Sequence, residues 1–378
     1  MEGSKELCPS RPPSREMHAS GLEDSPSFRQ SLQDAIGRGE AAEIRDTMWN
    51  KVWYITMRYR HDGYSTATFE PQLHDFWYAC YQAGRHISHE SAEHDRLLLD
   101  ILRFRAIGPL KRPAKHNHQD TEFAKTSAGV LWKDLPFLVT DMTDYWVNDC
   151  ATMNATQRCN VARFLAKLAS AGVSSDGLFQ IALLTMRDAL ETARPLGSLK
   201  SPNEDNANRT MKDLTVADLL PAVHAWFQEA RYKITQLSDE LWNDCSDDFG
   251  RGGPTFLKSE LGKRSNSGFS HWRWMFWLKR LEDIKQEAKE AGEKDIAELV
   301  SEIHESMTGQ LEDGNRQVFE KFETAGELIP NRKDFSIRHL IDRVFDEWKQ
   351  SNPEDDDGAQ EAQQSLETLQ IRSTGKTP

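Results

Sequence analysis

Apolar residues recur along this chain three and four positions apart, the spacing that gathers them on one side of an α-helix. Trp49, Val52, Ile55 and Tyr59 keep that interval, although Val52 to Ile55 taken alone would also fit a strand. Phe69 to about Ile87 predicts a second, aromatic-rich helix. Leu97, Leu98, Ile101 and Leu102 mark a third, ended by Gly108-Pro109. A new series begins over Phe137 to Trp146, and Val161, Phe164, Leu165, Leu168 and Ala169 form the next stripe. Asn154 with Gln157 can cap its start, and Gly172 can take the left-handed conformation at its end. Phe179, Leu183, Met186, Leu190 and Ala193 repeat the geometry before Pro195. Thr215 with Asp218 reads as a helix start, and Val223, Phe227, Ala230 and Ile234 carry that helix on; Pro221 predicts a kink or a fresh start within it.

The densest apolar stretch runs from Ser267 to Ile284. Trp274, Trp277, Leu278, Leu281, Ile284 and Ala288 share one helical stripe, with Phe269, Trp272 and Phe276 roughly opposite. A helix apolar on nearly every side is enclosed by others, so this segment is expected at the centre of an all-helical domain, with Trp274 and Trp277 buried. Ile296, Val300, Ile303 and Met307 continue the theme. Beyond Pro330, Ile337, Leu340, Ile341, Val344 and Trp348 predict a last helix. No alternating strand pattern is sustained and no fixed-period repeat occurs. The fold class is all-α: one large multi-helix domain over residues 27–350, between disordered tails at 1–26 and 351–378. The polar stretches Lys111 to Ala128, Leu196 to Lys212 and Ser246 to Gly253 read as loops.

The formal net charge is −13, and nearly half of it lies in the two tails. Lys and Arg are scattered; the one short basic run, Lys111 to Lys115, is not sustained, which disfavours nucleic-acid binding. Five cysteines, widely spaced and without a CxxC pair, suit reduced thiols in an intracellular, cytoplasmic protein. The first residues lack the apolar core of a secretory signal, and no run approaches the ~18 apolar residues of a membrane span.

Candidate chemistry is sparse. His86, His89, Glu90 and His94 invite a zinc reading, yet the histidine intervals match no zincin pattern, and a solvated helix start accounts for the same residues. His116 and His118 lack ligand partners at useful spacing. The glycines of Phe249 to Thr255 lack the pattern of a phosphate cradle and read instead as the turn into the Trp-rich helix. Asp247-Asp248 meets Arg251 where a magnesium-binding DDxxD motif needs an acid, and Asn148-Asp149 meets Thr156 where its companion motif needs Glu. Arg187 and Glu191 stand one turn apart. Arg273 and Arg280 share a face flanked by indoles; an anion or cation–π site is one reading, and arginines that satisfy neighbouring carboxylates at the rim of a bulky core is the favoured one. No catalytic, cofactor or metal residue is nominated.

Five segments together resemble a family of uncharacterised proteins from filamentous fungi that share a domain of unknown function. They are Leu131 to Phe137, Gln157 to Leu168, Leu184 to Glu191, Leu219 to Trp226 and Gly268 to Leu281. The resemblance implies a fungal, soluble, helical protein and carries no activity or site residue with it. On the residues alone, the expected function is a non-enzymatic binding or scaffold protein with a protein or peptide partner. The alternative is an enzyme or small-molecule binder with a pocket between helices near residues 268–285.

Overall fold

The computed structural model describes residues 25–114, 120–200, 205–265 and 267–325. Thirteen helices account for most of them. The first four are α1 (Ser25–Arg38), α2 (Ala41–His61), α3 (Glu70–His86) and α4 (Ala92–Ala106). Next come α5 (Leu138–Asp149), α6 (Ala155–Ser170), α7 (Phe179–Leu190) and α8 (Val216–Asp239). Three short helices, α9 (Asp247–Gly250), α10 (Pro254–Lys258) and α11 (Glu260–Arg264), lead into α12 (His271–Ala291) and α13 (Lys294–Ala325). The chain divides into two compact units, residues 1–307 and 308–378.

Helix limits follow local chemistry. Thr215 and Asp218 close a reciprocal capping box on α8: Thr215 N–H donates to Asp218 Oδ2 at 2.8 Å, and Asp218 N–H to Thr215 Oγ1 at 3.2 Å. At α6 only half of the expected box forms. The Gln157 N–H donates to Asn154 Oδ1 at 2.8 Å, while the Gln157 side chain turns to Asp205. Gly172 takes φ +65° at the end of α6, as its position predicts. Pro221 neither kinks nor restarts α8; the departure from helical geometry falls at Ala230, φ −133°.

Within the first unit α3 is central to the N-terminal half and packs on α1, α2, α5 and α6. The most extensive helix pairing is α6 on α8, and α7 lies against α8 as well. The Trp-rich α12 packs on α7, α8 and α11. Trp274 and Trp277 are fully buried, with Phe227 in edge contact with Trp274 at 5.7 Å and Phe269 with Trp277 at 6.1 Å. The opposite side of α12 is less enclosed than the pattern predicts, since Trp272 and Phe276 keep partial exposure.

Three expectations are corrected. The stretch Lys111 to Ala128 is not a plain loop: β1 (Lys111–Pro113) pairs antiparallel with β2 (Thr121–Phe123), and β3 (Lys125–Thr126) with β4 (Gly129–Val130). Strands of two or three residues are too short for alternation to register in a sequence. Part of Ser246 to Gly253 is the helical turn α9. Helix α1 begins at Ser25, inside the stretch read as tail, and Phe28, Leu32 and Ala35 supply its buried stripe. A further short extended segment, β5, covers Val173–Asp176. Met307 closes the buried stripe of Ile296, Val300 and Ile303. The helix expected over Ile337 to Trp348, most of both tails, and His116 and His118 lie outside the described residues.

Candidate functional site

Around the Trp-rich helix the chemistry resolves into a closed knot. Arg273 projects from the first turn of α12, capped by Ser270, toward Glu191 at the end of α7. Its Nε donates to Glu191 Oε1 at 2.5 Å and its Nη2 to Oε2 at 3.1 Å, while Nη1 donates to the carbonyls of Gly250 and Gly268 at 2.7 and 2.9 Å. Trp277 Nε1 and the Gly253 N–H also donate to Glu191, each at 2.6 Å. Both charged side chains are wholly buried. The glycines noted in the sequence serve this approach: a Cβ on Gly253 would stand 2.6 Å from the Glu191 carbonyl oxygen. A buried carboxylate with two guanidinium bonds, an indole and a backbone amide is fully engaged, so Arg273 satisfies a carboxylate rather than awaiting an anion. Arg187 pairs with Asp188 and donates to the Asp248 carbonyl instead of meeting Glu191. Arg280 pairs on the surface with Glu287.

The histidine run is dispersed. Helix α3 ends at His86 and α4 begins at Ala92, so His86, Glu90 and His94 do not share one helix face. His94 is buried, and its Nε2 lies 3.2 Å from the Asn160 carbonyl; His89 Nδ1 lies 2.8 Å from Asn160 Oδ1. Burial lowers the His94 pKa to about 4. Asp149 pairs with Arg85 at 3.5 Å. Among the described residues no three His, Cys, Asp or Glu side chains gather as a metal site.

Two constellations at the surface of the described residues bear on function. The first lies on α2. Trp53 is 45% exposed, whereas Trp77, Trp132, Trp146, Trp226, Trp274 and Trp277 are at most 2% exposed. Met57 follows Trp53 by one turn. Beside them the Arg58 guanidinium lies 5.2 Å from the Tyr54 ring and 5.3 Å from the Tyr64 ring, and Tyr64 is 41% exposed. Arg112 of β1 supports this corner from beneath. It grips Glu122 through two nitrogens at 3.0 and 3.2 Å, donates to the Tyr64 carbonyl at 2.8 Å, and sits 4.3 Å from the Tyr59 ring.

The second constellation is His74 on α3. Its Nδ1 lies 2.8 and 3.0 Å from the two oxygens of Asp141 on α5, a carboxylate that is 8% exposed while the imidazole is 44% exposed. Burial raises the Asp141 pKa, and the His74 contact opposes that rise. The Phe137 ring lies 4.5 Å from the imidazole. Phe137, Leu135 and Trp132 all take positive φ, at 68°, 48° and 62°. Left-handed backbone at three bulky residues is strained and persists because neighbours hold it. Trp77 Nε1 donates to the Pro136 carbonyl at 2.7 Å and Trp132 Nε1 to Thr56 Oγ1 at 3.1 Å.

Neither constellation was singled out in the sequence. The Tyr54–Arg58 interval is the only trace of the first. The second joins residues 67 positions apart, for which a single sequence holds no signal.

A helical fold built around an engaged core knot defines the class: an all-α protein. The chain belongs to the family described as "protein of unknown function (DUF3632)", which it matches over residues 77–281. It is also 41% identical over 339 residues to "Oxopyrrolidines biosynthesis cluster protein G" of Penicillium oxalicum, covering 87% of this chain and 94% of the relative. No solved structure matches. Among the described residues no helix is long and apolar enough to cross a membrane.

Proposed function

We propose that the chain is a non-enzymatic helical binding protein that recruits a protein partner through the aromatic and arginine surface of α2. The exposed Trp53, flanked by Met57 and by Arg58 between Tyr54 and Tyr64, carries this reading. Tryptophan, tyrosine, methionine and arginine are the residues enriched in interface cores, and the first two with arginine dominate hot spots. An exposed indole held on a rigid helix beside a stacked guanidinium presents that chemistry with little ordering left to do on binding. The relative's name attaches it to an oxopyrrolidine biosynthesis cluster; carried to this chain, it makes the partner a component of a biosynthetic apparatus. The free thiols of Cys80, Cys150, Cys159 and Cys245 support a reducing, cytoplasmic setting.

The test is proximity labelling in a fungal host with wild type and with a Trp53→Ala, Arg58→Glu, Tyr64→Ala variant. A discrete labelled set that disappears with the variant, at unchanged thermal midpoint, supports the reading. The same set labelled by both proteins overturns it.

His74 favours a second reading, an enzyme or small-molecule binder, at a place other than the Trp-rich segment. With Nδ1–H donating to Asp141, Nε2 is turned outward as the acceptor, the arrangement a general base requires. Histidine C–H resonances recorded against pyrrolidinone-ring compounds decide this: movement confined to His74 supports it, and no movement removes it.

A further inference from the structure

Helix α1 fills the groove between α2 and α3 in shape but not in charge. Phe28, Leu32 and Ala35, one helical face at i, i+4 and i+7, are buried at 1%, 0% and 0% exposure. Against Phe28 lies Lys51 of α2, also 0% exposed, in the same apolar stripe as Met48, Val52 and Ile55. Its Nζ has no hydrogen-bond partner; the Phe28 ring stands 4.7 Å away. Asp75 of α3, 2% exposed, acts on Lys51 as an opposing charge but makes no hydrogen bond to it. Asp75 Oδ1 accepts from Arg29 Nε and Nη2 at 3.1 and 3.0 Å, while its Oδ2 is buried and unpaired. Burial pushes the Lys51 pKa down and the Asp75 charge opposes that shift. An ammonium without an acceptor in such a place is among the costlier features a core can hold. The Arg29 end of the ion pair is 52% exposed, so water screens what it returns.

The connection to α2 is short and exposed, and Arg38 pairs across it with Glu43 at 2.7 Å and Glu40 at 3.7 Å. Gly39, at φ +70°, lies between Arg38 and the start of α2 at Ala41. A Cβ at Gly39 would meet nothing within 4 Å, so the turn itself faces open space.

We propose that the α2–α3 groove occupied by α1 is a receptor for an amphipathic helix of a partner protein, and that this helix brings a carboxylate to Lys51. Helix α1 is then the intramolecular stand-in that keeps the groove covered. A helix laid in an apolar groove reads as anchors at i, i+4 and i+7, which α1 already displays. What α1 lacks is the acid that would turn a buried, unpaired ammonium into a hydrogen-bonded ion pair. The groove lies on the side of α2 opposite Trp53, two residues from Lys51 and so about 200° around the helix. The two surfaces can therefore fail independently.

Fluorescence anisotropy on the full chain provides the test, with two labelled 14-residue probes. One copies α1, and the other copies α1 with Phe28→Glu. The acidic copy is expected to bind wild type at least about ten-fold more tightly than the native copy, the scale of a close interfacial charge pair. That gain should vanish on the Lys51→Met chain, or on Lys51→Gln if the first does not fold. Weakening α1 itself with Phe28→Ala in the full chain should tighten both probes. Equal binding of the two copies, or tighter binding of the native one, would point to exchange of α1 between copies and overturn the proposal. Absence of binding even to the Phe28→Ala chain, or a gain that survives at Lys51→Met, overturns it too.

Discussion

At the scale of single residues, the Glu191–Arg273 pair shows how a charge becomes part of a core. Each ion is wholly buried, and the carboxylate is held by four donors drawn from Arg273, Trp277 and Gly253. Removing one partner strands the other in an apolar setting, whereas removing both clears the charge and leaves the Gly253 N–H and Trp277 Nε1 without their acceptor. Arg273→Met is therefore expected to cost about 3–5 kcal/mol in chemical denaturation. Adding Glu191→Leu in the same chain should recover only part of that loss, since two buried donors stay unpaired. A single variant as stable as wild type would show that the pair carries little. Trp277→Ala should cost a similar ~3–5 kcal/mol through lost volume, and Trp277→Phe less, through the smaller ring and the lost hydrogen bond to Glu191.

At the scale of elements, α4 and α6 are joined by His94, and the join has a pH signature. His94 Nε2 meets the Asn160 carbonyl, which can only accept, so the ring proton sits on Nε2. Nδ1 is buried without a partner, and protonating it would bury a second N–H with nowhere to donate. The native ring accordingly titrates at about 4, against about 6.5 in an unfolded chain. Between those values the unfolded state holds more protons, so stability falls as the pH drops from about 6.5 to 4. The full shift corresponds to about 3 kcal/mol. His94→Gln, which stays neutral, should flatten that slope in thermal midpoints measured from about pH 4.5 to 7. An unchanged slope would show that His94 is not the group responsible.

At the scale of the whole molecule, the metal-like motifs come apart. His86 and His94 sit on different helices, His94 is spent on Asn160, and Asp149 on Arg85. Purified, untagged protein is expected to hold well below one zinc or magnesium per chain by elemental analysis, with a melting temperature indifferent to chelator. A stoichiometric metal that survives dialysis would move an enzymatic reading to the front.

Helical periodicity was enough to find α3, α4, α6, α7 and α12, with α3 and α6 nearly to the residue, the caps at Asn154 and Thr215 and the left-handed Gly172; α7 stops at Leu190, short of the Ala193 its stripe included, and α12 runs from His271 to Ala291. Burial of Trp274 and Trp277 followed from the same pattern. These properties are local: they depend on which side chains stand three and four residues apart and on which backbone groups a neighbour can cap. Helix α1 was legible in principle from Phe28, Leu32 and Ala35, but charge and proline before it masked the stripe. Lys51 left a similar trace, a lysine within an apolar face, whose meaning depends on what covers it. Partnerships across distance had no such trace. That Arg273 meets Glu191, that Asp141 stands behind His74, and that Lys51 lies under Phe28 without an acceptor are decided only when helices pack. The desolvation and charge balance of each group is set by neighbours drawn from other elements, and a one-dimensional pattern does not record which elements those are.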